Sequence, residues 1–246
     1  MPTTAEADFA VVIPARYASS RFPGKPLADI AGQPMIERVW RRCLEAVGPE
    51  NVFVATDDDR IVEACDAFGA RTIRTSPDCL TGTDRVAEAA RQLDHDFVVN
   101  VQGDEPLIRA DDILAVASAF RAARGAVVNA MTAIRDEDEY WSRTVPKVVA
   151  SPDGRLLYMS RAAIPGNKQG TFERAWKQVC IYAFSKEHLE GFAKAEVKGP
   201  IEAIEDIEIL RFLDMGVPVV MIEVEAGSVA VDTPEDLEKV VGILSR

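Results

Sequence analysis

The chain has 246 residues, enough for one or two domains with a core that needs no disulfide or metal staple. Hydrophobic residues at 48% and charged residues at 28% argue against a disordered, collagenous or coiled-coil chain, and a net charge of −12 argues against a duplex nucleic-acid binder. No apolar run approaches the ~18 residues of a membrane span. Cys43, Cys65, Cys79 and Cys180 are scattered without a C-x-x-C pair, and His95 and His188 are the only imidazoles, so neither a zinc site nor a disulfide framework is expected. Residues 1–8 are polar and acidic, unlike a signal or transit peptide, and the expectation is a soluble cytoplasmic protein.

Residues 9–13 (FAVVI) form a continuous apolar run of the kind buried on both faces of a parallel sheet. A loop follows to about Gln33. Pro34 then suits a first helical position, and Met35, Ile36, Val39, Trp40, Cys43, Leu44 and Val47 recur at helical spacing. Residues 51–56 read as a second strand. Asp57, Asp58 and Asp59 offer N-caps for a helix through Phe68, which Gly69 stops. The alternation continues with a strand at 71–75, a helix after Thr83, a strand at 97–101 and a helix from about Asp111. Strands alternating with helices predict βαβ units and a mostly parallel sheet.

After Val127 the pattern changes. Residues 147–150 and 155–159 read as strands joined by a Ser-Pro-Asp-Gly turn at 151–154, and 176–184 as a further apolar strand. The stretch of about 135–195 therefore reads as an antiparallel insertion carried by the parallel sheet. Trp176, Val179, Ile181 and Phe184 lie in one run, leaving an apolar face or edge that a second copy would cover, so a homodimer is expected. Helical spacing returns at Ile204, Ile207, Leu210, Arg211 and Leu213 up to Gly216, then a strand at 217–224. Thr233 caps a last helix, with Pro234 first and Asp236 third.

The residues that suggest chemistry lie at strand ends, where parallel sheets bind ligands. Residues 14–26 (PARYASSRFPGKP) hold Arg16, Arg21 and Lys25 with no acidic residue between Asp8 and Asp29. Three cations without counter-charge, with Ser19, Ser20 and Gly24 as further donors, suit a phosphate group better than an ordinary surface loop. Neither G-x-x-x-x-G-K-[ST] nor G-x-G-x-x-G is present. Residues 100–106 (NVQGDEP) place Asp104 and Glu105 at another strand end, as a turn or helix cap or as a Mg²⁺ carboxylate. Asp232, in VAVDTPED, flanks a helix cap, and together with Asp104 it would complete a two-carboxylate metal site.

These segments resemble the cytidylyltransferases that activate 3-deoxy-manno-octulosonate (Kdo) as a CMP-sugar. The likeness runs from VVIPARYASSRFPGKPL through TDDDRIVEA, TGTDRVAE, NVQGDEP, LLYMSRAAIP and CIYAF to VAVDTPEDLEKV, in order and over nearly the whole chain. It implies an α/β fold, a single nucleotidyltransferase domain with a mostly parallel Rossmann-like nucleotide-binding sheet and an antiparallel dimerisation arm. It implies that Arg16, Arg21 and Lys25 bind CTP phosphates with Ser20 in the same loop, that Arg85 and Gln102 help read the cytidine, and that Asp104 and Asp232 hold Mg²⁺. Arg161, Tyr182 and Glu208 correspond to positions that contact the sugar acid. The implied reaction transfers CMP from CTP to the anomeric hydroxyl of Kdo, for lipopolysaccharide or capsule sugar activation.

Two positions depart from that pattern. Gln178 stands where the family commonly has His, and Ile209 where it commonly has Gln. The departures fit drift within one activity, or a related acid such as a Kdo variant or a sialic-acid-like nonulosonate. A module that binds CTP without chemistry is the reading of a different class, disfavoured by the joint presence of Asp104 and Asp232.

Overall fold

Each apolar run of the first half is a strand buried along its length. The computed structural model describes residues 8–18, 22–123, 125–195, 197–225 and 229–245. Strand β1 (Phe9–Pro14) leads through a short ladder, β2 (Asp29–Ile30) and β3 (Gln33–Pro34), into α1 (Met35–Val47). The alternation continues as β4 (Val52–Thr56), α2 (Asp59–Phe68), β5 (Arg71–Arg74), α3 (Gly82–Ala90), β6 (Phe97–Val101) and α4 (Ala110–Ala122). Asp58 caps α2 by accepting from the Arg60 N–H, and Gly69 ends it at φ 82°, as the sequence predicts.

The second half contributes β7 (Val127–Ala133), α5 (Glu137–Trp141), β8 (Lys147–Ala150), β9 (Leu156–Ser160) and β10 (Trp176–Ser185). Helices α6 (Lys186–Ala193), α7 (Pro200–Glu205) and α8 (Leu210–Asp214), strand β11 (Val219–Glu223) and α9 (Pro234–Leu244) complete the chain. The main sheet runs β11-β7-β10-β6-β1-β4-β5, and β8 joins it through β10 and carries β9. Strands β6, β1, β4 and β5 pair parallel, as do β7 and β11, whereas β10 runs antiparallel between β6 and β7. The fold is the expected mixed α/β class, and its two core layers lie on opposite faces of the sheet.

Three expectations are corrected here. Strand β10 is not an edge: it pairs on both sides, and Ile181 and Phe184 are fully buried. The free edge of the antiparallel part is β9, which has only β8 beside it in the sheet. Strand β7 was not anticipated, because Asn129 and Thr132 interrupt its apolar pattern; both are buried. The helix expected across 204–213 is broken, since Asp206 adopts φ 52° and ends α7, leaving Ile204 86% exposed.

The buried Asn129 has a structural cause. Pairing of β10 with β7 jumps from Val179↔Ala130 to Tyr182↔Asn129, so β10 bulges at Cys180 and Ile181. The bulge leaves backbone carbonyls without ladder partners, and Asn129 Nδ2 donates to those of Val179 (2.9 Å) and Ile181 (2.8 Å). At the tip of the β8–β9 hairpin, Gly154 sits at φ 86° and a Cβ there would approach the Met221 carbonyl to 2.9 Å. The turn is thus pressed against β11, and its own carbonyl accepts from the Met221 N–H at 2.7 Å.

The helical layer over α3 is fixed by a buried ion cluster. The Arg211 guanidinium is 1% exposed, donates to Glu202 (2.6 and 2.8 Å) and Asp84 (2.9 Å), and lies 3.7 Å from the Phe192 ring centroid. Arg211→Met would leave two carboxylates in the interior without their cation, which costs about 3–5 kcal/mol. The urea unfolding midpoint is expected to fall accordingly, and an unchanged midpoint would show the cluster to be energetically neutral.

Candidate active site

The carboxyl ends of β1 and β6 and the amino end of β10 open onto one cleft of about 820 Å³. Because β10 runs against its neighbours, its first residues, not its last, reach the ligand-binding edge of the sheet. Of the residues expected from sequence, Arg16, Lys25, Arg85, Gln102, Asp104 and Asp232 line this cleft, and so do Arg161, Gln178, Tyr182 and Glu208. Ser20 and Arg21 lie outside the described residues. Ile209 does not reach the cleft: it is 1% exposed and packed in the core beside Leu210 and Phe212. The expectation that Ile209 faces a sugar is therefore corrected. The broken helix turns Glu208 toward the cleft and Ile209 away from it.

Two turns bring the charged groups together. After β1 the chain folds back so that the Gly24 N–H donates to the Tyr17 carbonyl at 2.9 Å, and Lys25 begins a 3₁₀ turn with Pro26. After β6, Gly103 lies against β1, where a Cβ would stand 3.0 Å from the Pro14 carbonyl oxygen. That close approach places Asp104 opposite Lys25. The Val231 N–H donates to the Asp104 carbonyl at 2.9 Å, which carries Asp232 to the same point. Thr233 and Asp236 then form the capping box expected for α9.

The outcome is a lysine between two carboxylates. Lys25 Nζ donates to Asp104 Oδ2 at 2.7 Å and to Asp232 Oδ1 at 3.4 Å. Burial alone would push the Lys25 pKa down, but the two carboxylates outweigh it and the net shift is upward. The lysine therefore keeps its charge at neutral pH. Arg16 is exposed on the same rim and has no ion-pair partner among the described residues. Arg85 is buried at the cleft floor, with its guanidinium 2.7 Å from Asp57 and donating to the Thr75 hydroxyl. The Gln102 amide lies over the start of α3, where a Cβ on Gly82 would meet its Nε2 at 3.0 Å.

The donor set fits Mg²⁺. Asp104 and Asp232 converge on a single cationic point, and among the described residues no group of three or more His, Cys, Asp or Glu side chains forms a closed metal cage. Mg²⁺ is commonly held by one or two carboxylates and completes its shell with water and substrate phosphate oxygens. Two oxygen donors beside a basic loop are such a set.

The opposite wall is held by backbone carbonyls. Arg161 donates to the carbonyls of Glu205 (2.6 Å), Asp206 (2.8 Å), Arg143 (3.2 Å) and Thr144 (3.3 Å), and no carboxylate stands within ion-pair distance of it among the described residues. Its guanidinium is thus fixed in place by neutral groups, while the Glu205 carboxylate accepts from the Arg161 backbone N–H at 3.0 Å. Lys147, fully buried, braces the same segment by donating to the carbonyls of Ser142, Val145 and Arg161 at 2.6–2.7 Å. Burial, reinforced by the nearby Arg161 charge, pushes its ammonium down to about 8. Sequence reading missed Lys147 because it opens an apolar strand, although a lysine heading such a run is itself a signal.

Glu208 has a different environment from a free sugar ligand. Its carboxylate accepts from the N–H groups of Gly82 (3.1 Å) and Thr83 (2.8 Å) and from the Thr83 hydroxyl (2.5 Å), closing the N-terminus of α3. Burial raises its pKa, opposed by these donors. Burial also holds the Tyr182 phenol and the Cys180 thiol well above their usual ranges, so neither ionises near neutral pH.

With this geometry in view, the comparisons with known proteins are specific. A family model described as "Cytidylyltransferase" matches residues 10–221. The 3-deoxy-manno-octulosonate cytidylyltransferase of Myxococcus xanthus is 46% identical over 95% of both chains. An 8-amino-3,8-dideoxy-manno-octulosonate cytidylyltransferase of Shewanella frigidimarina is 41% identical over 93% of this chain and 95% of its own. A solved structure of CMP:2-keto-3-deoxy-manno-octonic acid synthetase complexed with CTP superposes with a TM-score of 0.88 at 38% identity, covering 96% of this chain and 98% of that one. The match spans the sheet from its first strand into its last, and the chain belongs to the cytidylyltransferase family, among the enzymes named for 3-deoxy-manno-octulosonate.

Proposed function

We propose that this cleft transfers CMP from CTP to the anomeric hydroxyl of Kdo. The observation that carries the reading is the junction of Lys25 with Asp104 and Asp232, set between the basic rim at Arg16 and Arg161 on the far wall. A triphosphate needs the first cationic region, and a sugar carboxylate suits the cation of the second, whose Nη2 keeps one N–H beyond those given to the four carbonyls. The relative solved with CTP, 38% identical over nearly the same length, supports the nucleotide; the names of the curated relatives support the sugar.

In this reading the sugar hydroxyl oxygen attacks the α-phosphorus as the bond to the bridging β-phosphate oxygen breaks. Pyrophosphate departs and the hydroxyl proton is released. Lys25 and Arg16 place positive charge where the phosphoryl oxygens gain negative charge. Arg161 orients the acid, and Glu208 holds α3 so that its first turn faces the nucleotide. Asp104 and Asp232 would hold Mg²⁺, which when bound neutralises phosphate charge.

The same reading includes a homodimer and a cytoplasmic setting. The support for a dimer is now β9 rather than β10. Leu157 and Tyr158 are exposed on this free edge strand, and Trp141 and Ile204 stand exposed along the adjoining groove. Two-fold pairing of that face would cover the edge and the apolar side chains together. Four unpaired cysteines suit a reducing compartment, and no helix among the described residues is long and apolar enough to cross a membrane.

Pyrophosphate release with CTP, Mg²⁺ and a panel containing Kdo, its 8-amino-3,8-dideoxy relative and a nonulosonate tests the whole reading. Kdo is expected to be turned over, and absence of release with every acid would overturn it. Lys25→Ala is expected to lower turnover about 100-fold or more while the protein still folds, as judged by circular dichroism, the loss typical of a removed transition-state charge contact. Asp104→Asn and Asp232→Asn should each abolish release at ordinary Mg²⁺, and the double variant should be little worse than the worse single, as for groups acting as a unit. Full activity in excess chelator would remove the metal from the scheme. Light scattering should give a dimer, and Ile204→Asp with Leu157→Lys should shift it to monomer.

A further inference from the structure

The hydrogen bonds around the β10 bulge fix the polarity of a side chain in the cleft. Asn129 Nδ2 uses both protons on the carbonyls of Val179 and Ile181, at 2.9 and 2.8 Å. Those oxygens can only accept, so the orientation of the Asn129 amide follows from its surroundings. Its Oδ1 must then face outward as an acceptor, and it receives Gln178 Nε2 at 2.9 Å. The backbone N–H of Gln178 is occupied as well, donating to the Pro146 carbonyl at 3.1 Å. Besides the second Nε2 proton, the group left over is the acceptor Gln178 Oε1. It receives no hydrogen bond from the described residues, it is not among the buried unpaired atoms, and Gln178 lines the cleft.

We propose that Gln178 meets the sugar through its carbonyl oxygen, as an acceptor, and that Asn129 sets this polarity. The inference rests on the proposed use of a Kdo-type acid and adds what the position demands of it: a hydrogen-bond donor, a hydroxyl or an ammonium, facing the strand. It also gives a physical account of the Gln-for-His departure. A neutral imidazole at this position would give its single N–H to Asn129 Oδ1 and present its unprotonated nitrogen to the ligand. Either residue is then an acceptor toward the sugar, because Asn129 demands a donor from both. The change of residue preserves what is read.

The experiment compares Kdo with four analogues in which fluorine replaces the hydroxyl at C4, C5, C7 or C8, one at a time. Fluorine keeps the size but cannot donate. In the wild-type protein one analogue is expected to lose about 10-fold in kcat/KM, the value of one hydrogen bond, with the KM for CTP unchanged. In Gln178→Met the penalty for that analogue should shrink to about two-fold. In Gln178→His, assayed at pH 8 where an ordinary imidazole is neutral, the penalty should persist. Equal penalties in wild type and Gln178→Met for all four analogues would overturn the acceptor role. Loss of the penalty in Gln178→His would show that Asn129 does not set the polarity. Failure of Kdo itself to react would instead fall on the proposed function.

Discussion

One strand running against its neighbours organises this molecule. In a wholly parallel sheet the ligand edge is built from the residues that follow each strand. Strand β10 lies antiparallel between β6 and β7, so it delivers the residues at its beginning to that edge. Lys177 and Gln178 therefore line the same cleft as Arg16 and Lys25, which follow β1 in the ordinary way. The same reversal leaves the first half of β10 free to carry β8, and through it the wall containing Arg161. Two walls of different chemistry line one cleft because a single strand changes direction.

The charges of the cleft are arranged to stay charged. A chain of net −12 would disfavour a triphosphate on electrostatic grounds, and the loop at 14–26 carries three cations and no acidic residue of its own. Lys25 is stabilised as an ammonium by the two carboxylates beside it, while Arg161 is held by neutral carbonyls that fix its geometry without cancelling its charge. Neutral but polarised supports are a low-cost way to keep a cation available to a ligand. By contrast Glu208 is committed to the start of α3, so its contribution is to the placement of that helix.

Much of this was legible in the sequence, for identifiable reasons. Continuous apolar runs such as β1 and β6 and capped helices such as α2 and α9 carry local signals, and the structure reproduces them within a residue or two. Asp104 and Asp232 were singled out by position at strand ends, and they meet at one lysine although far apart in sequence. The failures share one cause, long-range demand on a local pattern. Asn129 looks wrong for a strand until the bulge on a partner about 50 residues away requires its amide. Ile209 is expected in the pocket because the family commonly has Gln there, but the left-handed turn at Asp206 reorients the segment and turns it into the core. The role of Lys147 likewise depends on distant groups, since its partners are carbonyls brought by the loop at 142–145 and by Arg161.

The central position of β10 also bears on the order in which the chain is completed during synthesis. Strands β6 and β7 emerge first, and neither pairs with the other. Until residue 185 has been made, each keeps an open edge that only β10 will fill, and β11 adds its pairing to β7 later still. Closing such pairings requires loops of many tens of residues, whose entropy must be lost before the contacts form. The nascent N-terminal four-strand unit of β1, β4, β5 and β6 is thus a half-sheet waiting for its centre, with the apolar faces of Val98 and Val99 at its unfinished side. A ribosome pause or truncation ahead of Trp176 would expose that side to other chains, making this one strand the point at which the nascent protein passes from an adhesive intermediate to a closed fold.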